Sequence, residues 1–470
     1  MGERERAAWI GVWSPEFQFW GWNLDTTTMN MMNSGMPANV ASPVFIGSPE
    51  RFRAMRGRTR RLLEEVVGAE AYYERPIALR HPIVFYEGHL PAFAVNTLVK
   101  WALGRPGINA AFEALFERGI DPEEEAASPA PCSWPERARV QEFARLADGV
   151  LEDALAEKGD RATLAVGTIF EHELMHQETL VYMLHRLPRE RLRPQGERPR
   201  LQPVGVQAHD PVRVPAGRAT LGAHPSELPF GWDNEFPRQV VEVSSFDIDV
   251  WPVTNGDYLE FVESGGYQER PYWDEAGWTW CARGQRGAPL FWERRGGRWF
   301  WRALFEDVPL PLSWPAYVSH AEASAYSRFR GRRLPTEAEY HRAAFGSPTG
   351  GERAHPWGDD APRPGHHGNF GFLSWDPWPV GSCPAGASAF GVQELVGNGW
   401  EWTSTPFQGF PGFAPMASYP AYSSEFFDGQ HYVLKGASPA TATELVRRTF
   451  RNWYRARYPY PYAKFRTVTS

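Results

Sequence analysis

The sequence predicts an α+β protein in which an N-terminal four-helix bundle precedes a larger domain that is rich in irregular structure. A chain of 470 residues is too long for one ordinary hydrophobic core, so we expect more than one domain. Residues 46–205 place hydrophobic side chains at helical spacing. Residues 206–470 have short alternating stretches instead, and the whole chain contains 44 Gly, 42 Pro and 21 Trp. These counts argue against helices throughout the chain.

Composition excludes several classes of protein. The net charge of −7 disfavours a general nucleic-acid binder, because phosphate contacts need clustered Lys and Arg. Cys132, Cys281 and Cys383 are far apart, which suits a reducing compartment and excludes a disulfide framework. No apolar run approaches the roughly 18 residues that span a bilayer, and no secretory signal begins the chain. We expect a soluble, cytoplasmic protein that binds neither nucleic acid nor membranes.

The bundle is predicted from helix start and stop signals. Residues 1–45 precede it with neither a helical nor a strand period, and we expect a poorly ordered extension there. The first helix should begin after the N-cap Ser48, with Pro49 in its first turn, and run to Gly68. Further helices are expected over residues 90–103, 134–158 and 163–187, the last of them stopped by Pro188.

The second domain is predicted because the spacing of hydrophobic residues changes after Pro203, from helical to short alternating stretches. The segment from Gln239 to Phe246 alternates apolar and polar residues, as a half-buried strand does. Two helices are marked by capping boxes, in which Glu follows Ser or Thr by three residues. These boxes are Ser319 with Glu322, and Thr336 with Glu339. The boundary between the domains is expected near residues 202–210.

Two histidines on the fourth bundle helix indicate a metal site. His172 and His176 are one helical turn apart, so both imidazoles project from the same face. Apolar neighbours place this helix in a core, where two stacked histidines need a common partner, and a metal ion is one. His89, at the start of another predicted helix, could supply a third imidazole.

Two kinds of metal enzyme remain open at this point. His172-Glu173-x-x-His176 is also the zinc-protease signature, in which the Glu activates a metal-bound water. Such an enzyme needs a third ligand downstream, where His209 is a weak candidate. Three histidines that leave three positions open suit iron and dioxygen better than hydrolytic zinc.

Several longer motifs, in a fixed order, resemble a known family. They are Gly88-His89 and His172-x-x-x-His176-Gln177-Glu178, then Gly231-Trp232-Asp233-Asn234-Glu235, Arg333-Leu334-Pro335-Thr336-Glu337, Gly397-Asn398-Gly399-Trp400-Glu401 and Phe450-Arg451-Asn452-Trp453. The chain is similar to the sulfoxide synthases of ergothioneine and ovothiol biosynthesis. In that family a DinB-like bundle precedes a C-type-lectin-like domain of the formylglycine-generating-enzyme type. Formylglycine generation itself is not expected, because it uses a late cysteine pair and only Cys383 lies in that region.

The resemblance implies an activity and its cofactor. His89, His172 and His176 would hold Fe(II), with O2 as co-substrate. The protein would join the sulfur of a thiol to the imidazole of trimethylhistidine (hercynine), with oxidation to the sulfoxide. Tyr419, the first tyrosine of the stretch Tyr419-x-x-Tyr422-Ser423, would be the proton donor.

The resemblance also implies substrate-binding positions, two of which depart from the mycobacterial type. Tyr422, Asn452 and Trp453 match positions that line the substrate pocket. Met175 replaces a Gln that contacts the acceptor, and Tyr454 replaces an Asp that helps to bind γ-glutamylcysteine.

The identity of both substrates therefore stays open. The donor could be cysteine, γ-glutamylcysteine or a selenium compound, with Arg455 or Arg457 binding a carboxylate. The acceptor could be histidine, as in ovothiol formation. Alternatives from other classes are the zinc hydrolase and a binding module that merely retains metal.

Overall fold

The computed structural model describes residues 47–117, 134–195 and 210–470. The predicted extension over residues 1–45 lies outside these ranges, as do Cys132, His209 and all but the last residue of the predicted boundary at 202–210. What the sequence predicts for those segments therefore stays a prediction.

The N-terminal part is helical, as expected. Its helices are α1 (Pro49–Arg61), α2 (Ile83–Ala94), α3 (Ala110–Leu115), α4 (Arg137–Ala154) and α5 (Asp160–Leu184). The Ser48 hydroxyl accepts a hydrogen bond from the backbone N–H of Arg51 at 3.3 Å, so this residue is the predicted N-cap of α1. Helix α2 packs against α4 and α5, and α1 packs against α5.

Helix α2 starts earlier than the sequence suggested. Pro91 was expected in the first turn of a helix that begins at residue 90, but it lies inside α2, which begins at Ile83. Every residue from Ile83 to Ala94 is buried, and this packing stabilises a helix through a residue that lacks a backbone N–H. The helix then continues as a π-helical segment over Val95–Ala102.

The C-terminal part contains short strands in four small sheets. The central sheet has the order β10 (Asn452–Arg455), β9 (His431–Ala437), β8 (Gly399–Pro406) and β11 (Ala463–Lys464). The second sheet has β4 (Phe246–Ile248) between β1 (Val212–Val214) and β12 (Val468–Thr469). The remaining strands are β2 (Gly217–Leu221) with β3 (Gln239–Val243), and β5 (Trp292–Arg295), β6 (Arg298–Arg302) and β7 (Asp307–Pro309).

Four helices pack around these sheets. They are α6 (Asn255–Glu263), α7 (Glu275–Arg283), α8 (His320–Phe329) and α9 (Glu337–Phe345). Both predicted capping boxes are present, at Ser319 for α8 and at Thr336 for α9. The predicted strand from Gln239 to Phe246 was wrong in its length, because the chain leaves β3 after Val243 and β4 joins a different sheet.

Helix α5 connects the two parts through buried polar contacts. Arg447 forms ion pairs with Glu171 of α5 at 2.7 Å and with Glu235 at 2.5 Å. Nearer the end of α5, the His185 Nε2–H donates to the Arg302 carbonyl at 2.6 Å and Nδ1 accepts from the Tyr462 hydroxyl at 2.8 Å. One continuous core spans both parts. None of the helices within the described ranges is long and apolar enough to cross a membrane.

Candidate metal centre

Three imidazoles from two buried helices meet at one point. His89 comes from α2, and His172 and His176 come from successive turns of α5. One ring nitrogen of each lies within 4.8 Å of those of the other two. Both helices pack together in the core, and the structure brings together the three histidines that the sequence proposed as ligands. Their role as metal ligands stays a prediction.

Hydrogen bonds fix the orientation of two of these rings. The His89 Nδ1–H donates to the carbonyl oxygen of Phe116 at 2.8 Å, and the His176 Nδ1–H donates to the carbonyl oxygen of His172 at 3.0 Å. Because a carbonyl only accepts, the Nε2 atoms of both rings are left with a lone pair. Phe93 stacks on His172 with ring centroids 3.6 Å apart and an interplanar angle of 11°.

Burial keeps all three rings neutral. Desolvation lowers the pKa of His89 to about 4 and that of His176 to about 3, and it holds the pKa of His172 well below its usual value. Neutral imidazoles are ready to bind a metal without losing a proton first. Three neutral nitrogen donors that share one point fit a first-row divalent ion and leave coordination positions for other ligands.

Glu173 lies on a different side of α5 and does not face the three imidazoles. Its carboxylate pairs with the Arg56 guanidinium at 3.1 Å and accepts a hydrogen bond from the Thr59 hydroxyl at 2.6 Å. Arg56 also donates to Asp148 at 2.7 Å. A carboxylate that is buried in this network is not placed to activate a metal-bound water, so the geometry disfavours the hydrolase alternative.

A cavity of about 180 Å³ opens beside His176. Five of the predicted substrate-binding residues line it, namely Met175, Tyr422, Asn452, Trp453 and Arg455. Arg457 does not line the cavity and is exposed at the surface. Strand β10 explains this difference, because it runs along the cavity wall as far as Arg455 and then ends.

Tyr422 lines the cavity, and Tyr419 lies beside His172. The Tyr422 hydroxyl donates to the Met175 sulfur at 3.2 Å, and its ring stacks on Trp232 at 3.8 Å. Burial raises the pKa of Tyr422 well above its usual value, so this hydroxyl stays protonated. Tyr419 is the tyrosine nearer the imidazoles, with its ring centroid 6.3 Å from that of His172.

Residues of the cavity wall that the sequence did not single out come from distant segments. The Arg80 side chain donates to the Tyr458 hydroxyl at 2.9 Å and to the Tyr182 hydroxyl at 2.7 Å. His431 lies directly opposite Arg455 across the β9–β10 pair, and both line the cavity. Glu178 ends the motif that begins at His172, but only the fold shows that it lines the cavity.

Arg451 and Glu401, which belong to the family motifs, have ion-pair partners within the fold. The Nε–H and Nη2–H groups of Arg451 donate to the two carboxylate oxygens of Glu337, at 3.0 and 3.1 Å. Glu401 is fully buried and pairs with Lys464 at 3.1 Å and with Arg466. These charges are satisfied within the fold.

Comparison with known proteins agrees with the motifs. The family profile described as the sulfatase-modifying factor enzyme 1-like domain matches residues 197–470. The chain is 38% identical over 357 residues to "Hercynine oxygenase" of Mycolicibacterium thermoresistibile, an alignment that covers 74% of this chain and 78% of that protein. It is 37% identical to "Hercynine oxygenase" of Mycobacterium tuberculosis, over 74% of this chain and 81% of that one.

A fungal relative extends the match. "Ergothioneine biosynthesis protein 1" of Neurospora crassa is 29% identical, and the alignment covers 87% of this chain and 56% of that longer protein. The profile, the mycobacterial relatives and the ordered motifs agree. The chain belongs to the ergothioneine-type sulfoxide synthase family, in which the C-terminal part is a formylglycine-generating-enzyme-like domain.

Proposed function

We propose that the protein is an Fe(II)- and O2-dependent sulfoxide synthase of ergothioneine biosynthesis. It would form a carbon–sulfur bond between a thiol and the imidazole of trimethylhistidine. The observation that carries the proposal is the meeting of three neutral imidazoles beside a cavity that is lined by the family's substrate positions. The names of the relatives, hercynine oxygenase and ergothioneine biosynthesis protein, support the same reaction.

The proposed division of the chain follows the sequence. Residues 46–205 would be a DinB-like metal-binding bundle, and residues 206–470 the formylglycine-generating-enzyme-like domain. The bundle supplies the metal ligands, while the second domain supplies most of the cavity wall. The active site would therefore form only where the two meet.

The three histidines would be the protein ligands of the iron and would leave its other coordination positions open. His89 and His176 are oriented by their bonds to backbone carbonyls, so their Nε2 atoms would be the ligands. Bound Fe(II) would supply the one-electron chemistry that O2 activation needs and a site at which both substrates could be held together.

Tyr419 would deliver the proton that the reaction needs. A phenol is protonated at neutral pH and can donate to an oxygen that becomes more basic as it is reduced. Tyr422 is a poorer candidate, because its hydroxyl already donates to Met175. We assign Tyr419 as the proton donor. Tyr422 is a residue of the cavity wall, and its hydrogen bond holds Met175 in place.

The cavity residues would orient the two substrates. Trp453 stacks on Phe407 at 4.1 Å, which fixes its ring as a flat wall. The Asn452 side-chain oxygen accepts from the Trp453 backbone N–H at 2.9 Å, so its amide N–H groups would be the part that contacts a substrate. Arg455 is the better of the two predicted carboxylate partners, since Arg457 is exposed.

Product identification tests the proposal. Protein purified without oxygen and loaded with Fe(II) should convert trimethylhistidine and one thiol into a sulfoxide adduct when air is admitted, as measured by mass spectrometry. Cysteine, γ-glutamylcysteine and a selenium donor should be offered separately, and histidine should replace trimethylhistidine in a parallel set. The adduct should be absent in His89→Ala. If no combination gives an imidazole adduct, the proposed function is wrong.

A further inference from the structure

Arginines from both parts of the chain lie around the C-terminal end of α5. Arg186 follows the last turn of the helix, Arg286 comes from the loop after α7, and Arg302 is the last residue of β6. Arg302 is fixed at this place, because its Nε–H and Nη2–H groups donate to the carbonyl oxygens of His185 and Leu187 at 3.3 and 2.7 Å. Arg186, Arg286 and Arg302 thus form an arginine cluster where the bundle meets the C-terminal part.

The carboxylates near the arginine cluster are already paired with other arginines. Asp307 accepts a hydrogen bond from Arg189 at 2.6 Å and pairs with Arg295 at 2.5 Å. Glu293 also pairs with Arg295, and it approaches Arg302 only to 3.9 Å. These carboxylates therefore offset only part of the positive charge of the cluster.

Two members of the cluster lack hydrogen-bond acceptors. Within the described ranges, the guanidinium groups of Arg186 and Arg286 form neither a hydrogen bond nor an ion pair, and Nη1 of Arg186 and Nε of Arg286 are buried. Arg286 stacks on Trp280, with its guanidinium carbon 4.1 Å from the ring centroid, which holds the group in place. Both arginines are half-buried, so a small ligand can approach them from the solvent. An acceptor that binds there would remove the cost of the unpaired N–H groups.

The guanidinium groups of the cluster also repel one another. Burial lowers the pKa of Arg186, and the nearby charges of Arg302 and Arg286 lower it further. Arginine stays protonated in proteins, so these positive charges persist in the folded chain. Like charges that are held together in this way are stabilised when an anion binds between them.

The donors of the cluster indicate which kind of anion fits. A guanidinium group presents its N–H groups in a planar fork that matches the oxygens of a carboxylate or a phosphate. A carboxylate brings two oxygens and one negative charge, which is less than several guanidinium groups from separate segments can use. A phosphate group brings about three acceptor oxygens and a charge of about −1.5 to −2 at neutral pH, so it matches the cluster better.

We propose that the arginine cluster binds a phosphate group, either inorganic phosphate or a phosphate ester, which links the bundle to the C-terminal part. Arg186 belongs to the bundle, whereas Arg286 and Arg302 belong to the C-terminal part, so one anion accepts hydrogen bonds from both. None of the three arginines lines the cavity beside His176. The site is therefore separate from the substrate cavity, and the inference does not depend on the proposed reaction.

Calorimetry and thermal unfolding of the full-length protein test the site. The probes are inorganic phosphate and glycerol phosphate, each added at constant ionic strength with sodium chloride as the balancing salt. The iron-loaded protein, kept without oxygen, and the metal-free protein are both measured, so that phosphate bound by iron is distinguished.

Phosphate should bind at one site in both forms and should raise the unfolding temperature beyond the effect of chloride. Arg186→Gln and Arg286→Gln should each weaken this binding by roughly fivefold or more. Arg330→Gln is the matched control, because Arg330 is an exposed arginine outside the cluster that pairs with Glu260 at 3.1 Å.

Unfolding in chloride alone separates a binding role from a structural one. Arg186→Gln removes an unpaired charge that its neighbours repel, so this variant should unfold at the temperature of the wild type or above it. Only the wild type should then gain stability from phosphate. A variant that loses the same stability in both salts would make Arg186 a structural residue and overturn the proposal.

The two probes distinguish the source of the phosphate group. Tighter binding of glycerol phosphate would assign the site to a phosphate ester, and tighter binding of inorganic phosphate would assign it to the free ion. The proposal is wrong if neither probe binds at constant ionic strength, or if the wild type and both variants bind equally. If Arg186→Gln does not fold, Arg286→Gln decides alone, because Arg286 lies in a loop.

Discussion

Replacement of Glu173 by Gln separates an oxygenase from a hydrolase. Glu173 is 2% exposed and accepts two bonds from Arg56 at 3.1 Å and one from Thr59 at 2.6 Å. Removing one partner of a buried ion pair typically costs about 3–5 kcal/mol. Arg56 would keep Asp148 at 2.7 Å, so its charge stays compensated. We therefore expect a loss of about 3 kcal/mol in the free energy of unfolding, at the low end of that range.

The assay is urea unfolding of the metal-free protein together with product formation by the iron-loaded protein. Glu173→Gln should lose stability and keep its iron content and turnover, since Glu173 faces α1 and not the imidazoles. Asp148→Asn is the matched control, because it removes the other carboxylate that pairs with Arg56. A Glu173→Gln variant that unfolds like the wild type but loses more than about a hundredfold in turnover would refute this reasoning and make Glu173 a catalytic base.

Three further outcomes are expected. Tyr419→Phe keeps the ring against Phe93 and removes the hydroxyl. Product formation measured by mass spectrometry should therefore fall roughly a hundredfold, while iron binding is retained. Undiminished turnover would exclude Tyr419 as the proton donor. Arg455→Ala should raise the KM for the donor in steady-state kinetics and Arg457→Ala should not, because only Arg455 lines the cavity; equal effects would contradict the assignment. Burial lowers the pKa of His185 to about 3, so the unfolded chain takes up a proton below about pH 6.5 while the folded protein does not. The free energy of unfolding should therefore fall as the pH drops from about 6.5 towards 3, and this group contributes up to about 1.4 kcal/mol per pH unit. His185→Gln should reduce this dependence on pH when urea unfolding is measured at pH 7, 6 and 5. An unchanged dependence would show that His185 is not the cause.

Local patterns explain what the sequence could predict. The capping boxes at Ser319 and Thr336 involve residues three apart, so their geometry is fixed by the helix start itself. His172 and His176 share a face for the same reason, because the helical period is local. His89 was found through its motif and through the need of a buried metal site for a third ligand.

Long-range packing explains what the sequence could not predict. Nothing local indicates that Arg80 reaches Tyr182 and Tyr458, which are more than a hundred residues away. The exposure of Arg457, two residues after the cavity-lining Arg455, likewise depends on the fold and not on a local pattern. Pro91 misled the placement of α2 because burial overrode a local helix-breaking signal.

Oxygen consumption tests the central claim most directly. Iron-loaded wild-type protein and His172→Ala should be compared in an oxygen electrode with trimethylhistidine, with the thiol, with both and with neither. We expect rapid uptake by the wild type only when both substrates are present, in a fixed ratio to the adduct, and none above background in His172→Ala. Uptake that needs neither substrate, or that persists in His172→Ala, would contradict an iron centre built from these three histidines.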